Sequence, residues 1–95
     1  MKTDYQNAII NKIRRFRFKK NISQYRLATL LGISPGQIGN IETPNRSHKY
    51  TLVQLSIICD ELGMRMQDLF LDDPDSLSQE DLIRRLINSI IEYEK

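Results

Sequence analysis

Only one cysteine, Cys59, and one histidine, His48, occur in the 95 residues, and these two scarcities remove whole classes of chemistry. A lone thiol cannot close an internal disulfide, which suits a reducing cytoplasm. Cys59 keeps i, i+3, i+4, i+7 spacing with Leu55, Ile58 and Leu62, so it reads as a small core residue. No other ligands are spaced around His48 to hold a metal. The chain has no glycine-rich loop to cradle phosphate and no carboxylate pair in an apolar setting, so neither an enzyme nor a cofactor is expected. No apolar run approaches the ~18 residues of a membrane span. Asp4 comes early and no hydrophobic leader follows it, so neither a signal peptide nor a membrane partner is expected. No segment alternates with the period of a strand, and there are no internal repeats.

What is present is an uneven charge. The net value of +2 conceals ten Lys/Arg against only Asp4 and Glu42 in residues 1–50, a balance of +8. Residues 51–95 carry four Lys/Arg against ten Asp/Glu, a balance of −6. A merely solvated surface would mix the signs. Segregation of this kind favours a basic face turned toward phosphates and an acidic end kept away from them.

Helix-start signals precede every long apolar segment. Thr3 with Gln6, Ser34 with Gln37 and Thr51 with Gln54 fit the capping box, and Ser78 with Asp81 is a looser version. They predict an all-α chain with helices at about 4–20, 52–62 and 79–94, two short helices between Ser23 and Glu42, and a fifth at about 66–71. Ile9, Ile10, Ile13 and Phe16 are the inward residues of the first. Asp72-Asp73-Pro74-Asp75 breaks the chain, because proline disfavours helix in the residue before it. The organisation expected is a domain at 1–71, an acidic linker at 72–78 and a C-terminal helix at 79–95.

The twenty residues from Ser23 to Glu42 carry the most information. Ser23 can cap a helix whose apolar face is Leu27, Leu30 and Leu31, with Ala28 small where a second helix crosses. Gly32 supplies the positive φ of a tight turn. Ser34 and Pro35 start the second helix, which turns Ile38 and Ile41 inward. Pro35, Gly36, Gln37, Gly39 and Asn40 are left facing out. A rigid helix pair with an outward second helix is a helix-turn-helix, whose usual use is to place that helix in the DNA major groove. Gln37 and Asn40 share one face, and a side-chain amide can bond N6 and N7 of adenine together. Gln37 has a competing role in its capping box. Gly36 and Gly39 weaken a helix, so their value lies in close backbone approach to the groove, and Pro35 and Gly36 join Gln37 and Asn40 as the expected base contacts. The amides of Ser23 and Gln24, at a helix N-terminus, form a natural phosphate site.

The stretch from about Ile13 to Phe70 resembles the Cro/repressor (XRE) class of helix-turn-helix domains. The matching residues are Ile13-Arg14, Arg17, Ser23-Gln24, Leu27-Ala28, Gly32-Ile33-Ser34, Ile38, Ile41-Glu42, Leu62-Gly63 and Asp68-Leu69-Phe70. Asn21 stands where a glycine is usual before the second helix, and Thr43-Pro44-Asn45 replaces the usual glycine turn after the glutamate. The resemblance implies a five-helix lambda-repressor-like domain with an added C-terminal amphipathic helix. It also implies that Gln24 braces the recognition helix and that Arg17 and Glu42 pair between helices. The loop holding Arg46, His48 and Lys49 would then run beside the DNA backbone. The function it implies is a sequence-specific regulator of transcription bound to double-stranded DNA, a dimeric repressor.

The last helix sets Leu82, Ile83, Leu86, Ile87, Ile90, Ile91 and Tyr93 over about half its circumference. Docking on its own core needs a stripe nearer 100° wide. The excess predicts a homodimer through Leu82, Ile83, Leu86, Ile87, Ile90 and Ile91. A fold-back within one subunit is the competing reading. On the dimer reading, a fragment cut after Asp75 stays folded and monomeric. An antitoxin-type protein, with a protein partner on this helix, is the alternative function.

Overall fold

The computed structural model describes residues 1–95 and contains six α-helices and no strand. They are α1 (Asp4–Lys19), α2 (Gln24–Leu31), α3 (Pro35–Glu42), α4 (Leu52–Leu62), α5 (Met66–Phe70) and α6 (Gln79–Glu94), with a 3-10 turn at Pro74–Ser76 before α6. No helix is long and apolar enough to cross a membrane.

The boundaries follow from local chemistry. At Thr3, Ser34 and Thr51 the cap hydroxyl accepts from the amide of the N3 glutamine, and the glutamine Oε1 accepts from the cap amide in return. Two orphan donors are satisfied at each of these three helix starts. Ser78 Oγ accepts from Asp81 N at 3.2 Å, without a return bond. Gly32 and Gly63 end α2 and α4 at φ of 68° and 69°. Asn21 takes φ of 56° between α1 and α2, a left-handed position that asparagine tolerates.

Ile9, Ile10 and Ile13 on α1 are fully buried, and α1 packs against α3, α5 and α6. α2 crosses α3 and α4, where Leu27, Ala28, Ile38, Leu55 and Ile58 close the centre. Each of these leucine and isoleucine side chains contributes about 1.5–3 kcal/mol by leaving water. Cys59 belongs to this core. Burial, with help from the Asp60 and Asp68 charges, pushes its thiol up to about 11, so it is inert at neutral pH.

The acidic connection into α6 is held by contacts to the rest of the chain. Pro74 is buried. The Arg65 guanidinium donates to both oxygens of Asp68 and both of Asp75, at 2.7–3.1 Å. Hydrogen bonding from Arg65 holds the Asp68 carboxyl below its ordinary range. Lys12 Nζ lies 3.6 Å from Asp72 and donates to Leu69 O.

α6 is where the expectation from sequence needs correction. One stripe folds back: Leu86 and Ile90 pack against the core, Leu82 is half-buried, and Tyr93 is 0% exposed. The Tyr93 hydroxyl donates to Tyr50 O at 2.7 Å, and its ring meets Phe70 edge-on at 6.0 Å. The Tyr93 carbonyl accepts from Gln6 Nε2 and Lys49 Nζ. A second stripe stays out. Ile83, Ile87 and Ile91 are 52–54% exposed and lie one turn apart along one line. The wide apolar half-cylinder is therefore two faces. Leu86 and Ile90 serve the chain's own core, and the helix cannot be removed without opening that core.

Candidate nucleic-acid interface

The Ser23–Glu42 unit begins with Ser23 Oγ accepting from Arg26 N at 3.0 Å. The amide of Ile33 returns to Ala28 O at 3.0 Å across the turn at Gly32, which fixes where α3 starts. Ile38 and Ile41 are buried beneath α3. Pro35, Gly36 and Gln37 are exposed, and Gly39 and Asn40 are half-exposed. Gln37 Oε1 is engaged with Ser34 N at 2.9 Å, while its Nε2 has no protein partner. Nothing inside the protein requires glycine at 36 or 39. An added Cβ would meet only Ser34 Oγ at 3.8 Å and Gln24 Oε1 at 4.0 Å respectively.

Glu42, on the last turn of α3, is the hub that orients this helix. Arg17 on α1 grips it through two bonds, Nε to Oε2 at 3.0 Å and Nη2 to Oε1 at 2.8 Å. Gln24 Nε2, at the start of α2, donates to the same Oε1 at 2.9 Å. A third guanidinium nitrogen of Arg17 reaches Ile22 O at 2.8 Å. Both charged side chains are 5% exposed. Three helices thus meet on one carboxylate, and a bidentate pair of this kind fixes angle as well as distance. Phe18, exposed on α1, lies under the guanidiniums of Arg17 at 4.6 Å and Arg14 at 5.4 Å.

The loop after α3 turns at Thr43–Arg46, with Pro44 at its second position and Arg46 N donating to Thr43 O at 3.1 Å. Residues Thr43 to His48 are all exposed, Arg46 among them. Lys49 departs from the expected set. Its Nζ donates to Tyr93 O at 3.0 Å, sits 3.8 Å from Glu94 and lies over the Tyr93 ring at 5.1 Å. It is a cation at the C-terminus of α6, a stabilising place for one.

The sequence reading missed Lys2. Its side chain is buried, and its ammonium donates to Ile41 O, Thr43 O and His48 O at 2.8, 3.0 and 2.8 Å. A lysine before a helix cap reads as solvated, and backbone carbonyls carry no sequence signature, so no signal could have found it.

A family model for the Cro/C1-type HTH DNA-binding domain matches residues 12–75. No curated protein and no solved structure matches the chain. The match covers α2, the turn at Gly32 and α3, along with the second half of α1 and all of α4 and α5. With α3 held outward through Glu42 on a scaffold of five helices, the chain belongs to the family of Cro/C1-type helix-turn-helix DNA-binding domains.

Proposed function

We propose that the chain is a sequence-specific regulator of transcription that binds double-stranded DNA as a dimeric repressor, with α3 in the major groove. The observation that carries this is the bracing of α3: a carboxylate shared by three helices fixes a helix whose outer face is left open. Gln37 and Asn40 are the proposed base readers. Gln37 keeps a free Nε2 while its Oε1 caps α3, so its capping and reading roles trade on binding. Pro35 and Gly36 let the α3 backbone approach the groove. The absence of any internal crowding at Gly36 and Gly39 supports that purpose, since the fold itself would accept alanine at both. The Ser23 and Gln24 amides, Arg46 and His48 are the proposed phosphate contacts. Lys49 leaves that set, because α6 occupies it.

Dimerisation through the outer stripe of α6 places two recognition helices on half-sites about 10–10.5 bp apart, or a multiple of that spacing. Three half-exposed isoleucines in one line support a second copy of α6 as the cover.

A duplex selected by the chain from a random pool tests the readers. Asn40→Ala should lose about 1–3 kcal/mol of discrimination between the selected and a random duplex, the worth of one bidentate amide–adenine pair. Gly36→Ala should raise the melting temperature, by up to about 1 kcal/mol of stability, yet weaken DNA binding. Equal losses on both duplexes for Asn40→Ala, or unchanged binding by Gly36→Ala, would refute these assignments.

A further inference from the structure

We propose that Lys2 is a positioning residue for DNA recognition: its ammonium fixes the loop Thr43–His48 against the end of α3. The proposal rests on the DNA-binding reading above. Lys2 lies outside the matched residues 12–75, on the segment before α1. An ammonium has three donors, and all three are used on carbonyls 39 to 46 residues away. Ile41 O belongs to the last turn of α3, where carbonyls lack helical partners and a cation complements the dipole. Thr43 O is the acceptor that closes the following β-turn, and His48 O lies at the far end of the loop.

Every residue from Thr43 to His48 is exposed, so the loop has no apolar anchor between Ile41 and Tyr50. Its other hydrogen bonds are local: Thr43 N to Asn40 O, Thr43 Oγ to Gly39 O, and Arg46 N to Thr43 O. Lys2 is therefore the long-range tether of this loop. Arg46 and His48, the loop cations proposed to meet phosphate, take their distance from Gln37 and Asn40 through it. Phosphate contacts set the register in which bases are read, so a loosened loop should cost discrimination as well as affinity. A buried ammonium must be compensated, and the three carbonyls do so. Burial still pulls its pKa below the ordinary lysine value.

The test uses the full chain carrying Lys2→Met, which keeps an unbranched apolar stem and removes the donors. Melting is followed by circular dichroism. Binding is followed by anisotropy on the selected and random duplexes, well below the melting temperature. Lys2→Met should melt lower, because three carbonyls lose a charged donor. Its affinity for the selected duplex should fall about tenfold or more, and its preference over the random duplex should shrink. Lys2→Gln, whose amide can still donate to two carbonyls, should lie between. It also serves if Lys2→Met fails to fold. A folded variant with a lower melting point and an unchanged ratio of selected to random binding would overturn the proposal, because Lys2 would then be structural only. A wild-type chain that binds no duplex overturns the DNA reading instead, and the role of Lys2 with it.

Discussion

Glu42→Ala is expected to cost about 3–5 kcal/mol, because it leaves the Arg17 guanidinium buried without its carboxylate. Ile22 O remains as a partner for one nitrogen, but the two bonds to the carboxylate go, and Gln24 loses its anchor as well. For a domain of this size the loss should lower the melting temperature by at least about 12 °C. The double variant Arg17→Met with Glu42→Leu separates two consequences. Apolar replacement of a buried pair is often neutral for stability, so melting should recover substantially. DNA recognition should not recover, because the angle of α3 was set by the bidentate pair and by Gln24. A Glu42→Ala variant that melts within about 0.5 kcal/mol of wild type, the range of an ordinary surface change, would show that the hub does not hold α3.

Cutting the chain after Asp75 is expected to unfold it. The cut removes Tyr93 from among Phe70, Tyr50 and the start of α1, and loss of a large buried aromatic costs about 3–5 kcal/mol. It also uncovers the core surface beneath Leu86 and Ile90. Total stability of small domains is only about 5–15 kcal/mol, so little should remain. Ile87→Glu probes the other face of the same helix. Ile87 is half-exposed, so the variant should fold and melt close to wild type. In sedimentation it should be monomeric where wild type is expected to be dimeric, because a dimer would bury the new charge unpaired. A truncated chain that keeps its helical signal and cooperative melting would contradict the inner role of α6. A monomeric wild type at micromolar concentration would contradict the outer one and turn the stripe toward a different protein.

Local signals were legible and distant ones were not. The capping boxes at Thr3, Ser34 and Thr51 involve residues three apart, so their chemistry is written side by side, and the helix starts followed. Gly32 and Gly63 announced turns because few residues accept positive φ, whereas Asn21 stood out only against the glycine usual in the family. The pairing of Arg17 with Glu42 spans 25 residues and was suggested by family resemblance; periodicity alone could not pair two charges across that distance. In α6 the apolar width was readable, but a helical projection cannot say which stripe docks. Tyr93 decided it, because a carbonyl of the loop before α4 takes its hydroxyl. Lys2 and the paired state of Asp75 were both beyond reach, since each depends on partners that only the folded chain brings together.

α3 and its flanking cations are proposed to engage duplex DNA. Anisotropy of the full chain on the selected duplex and on a random one, across a series of salt concentrations, tests it most directly. Each phosphate neutralised should contribute about −0.9 to the slope of log K against log salt. The basic half of the chain, with its excess of eight positive charges, predicts several such contacts. The expected result is a steep negative slope on both duplexes, with tighter binding to the selected one at every salt concentration. A slope near zero, or equal affinity for the two duplexes throughout, would rule out sequence-specific DNA binding by α3.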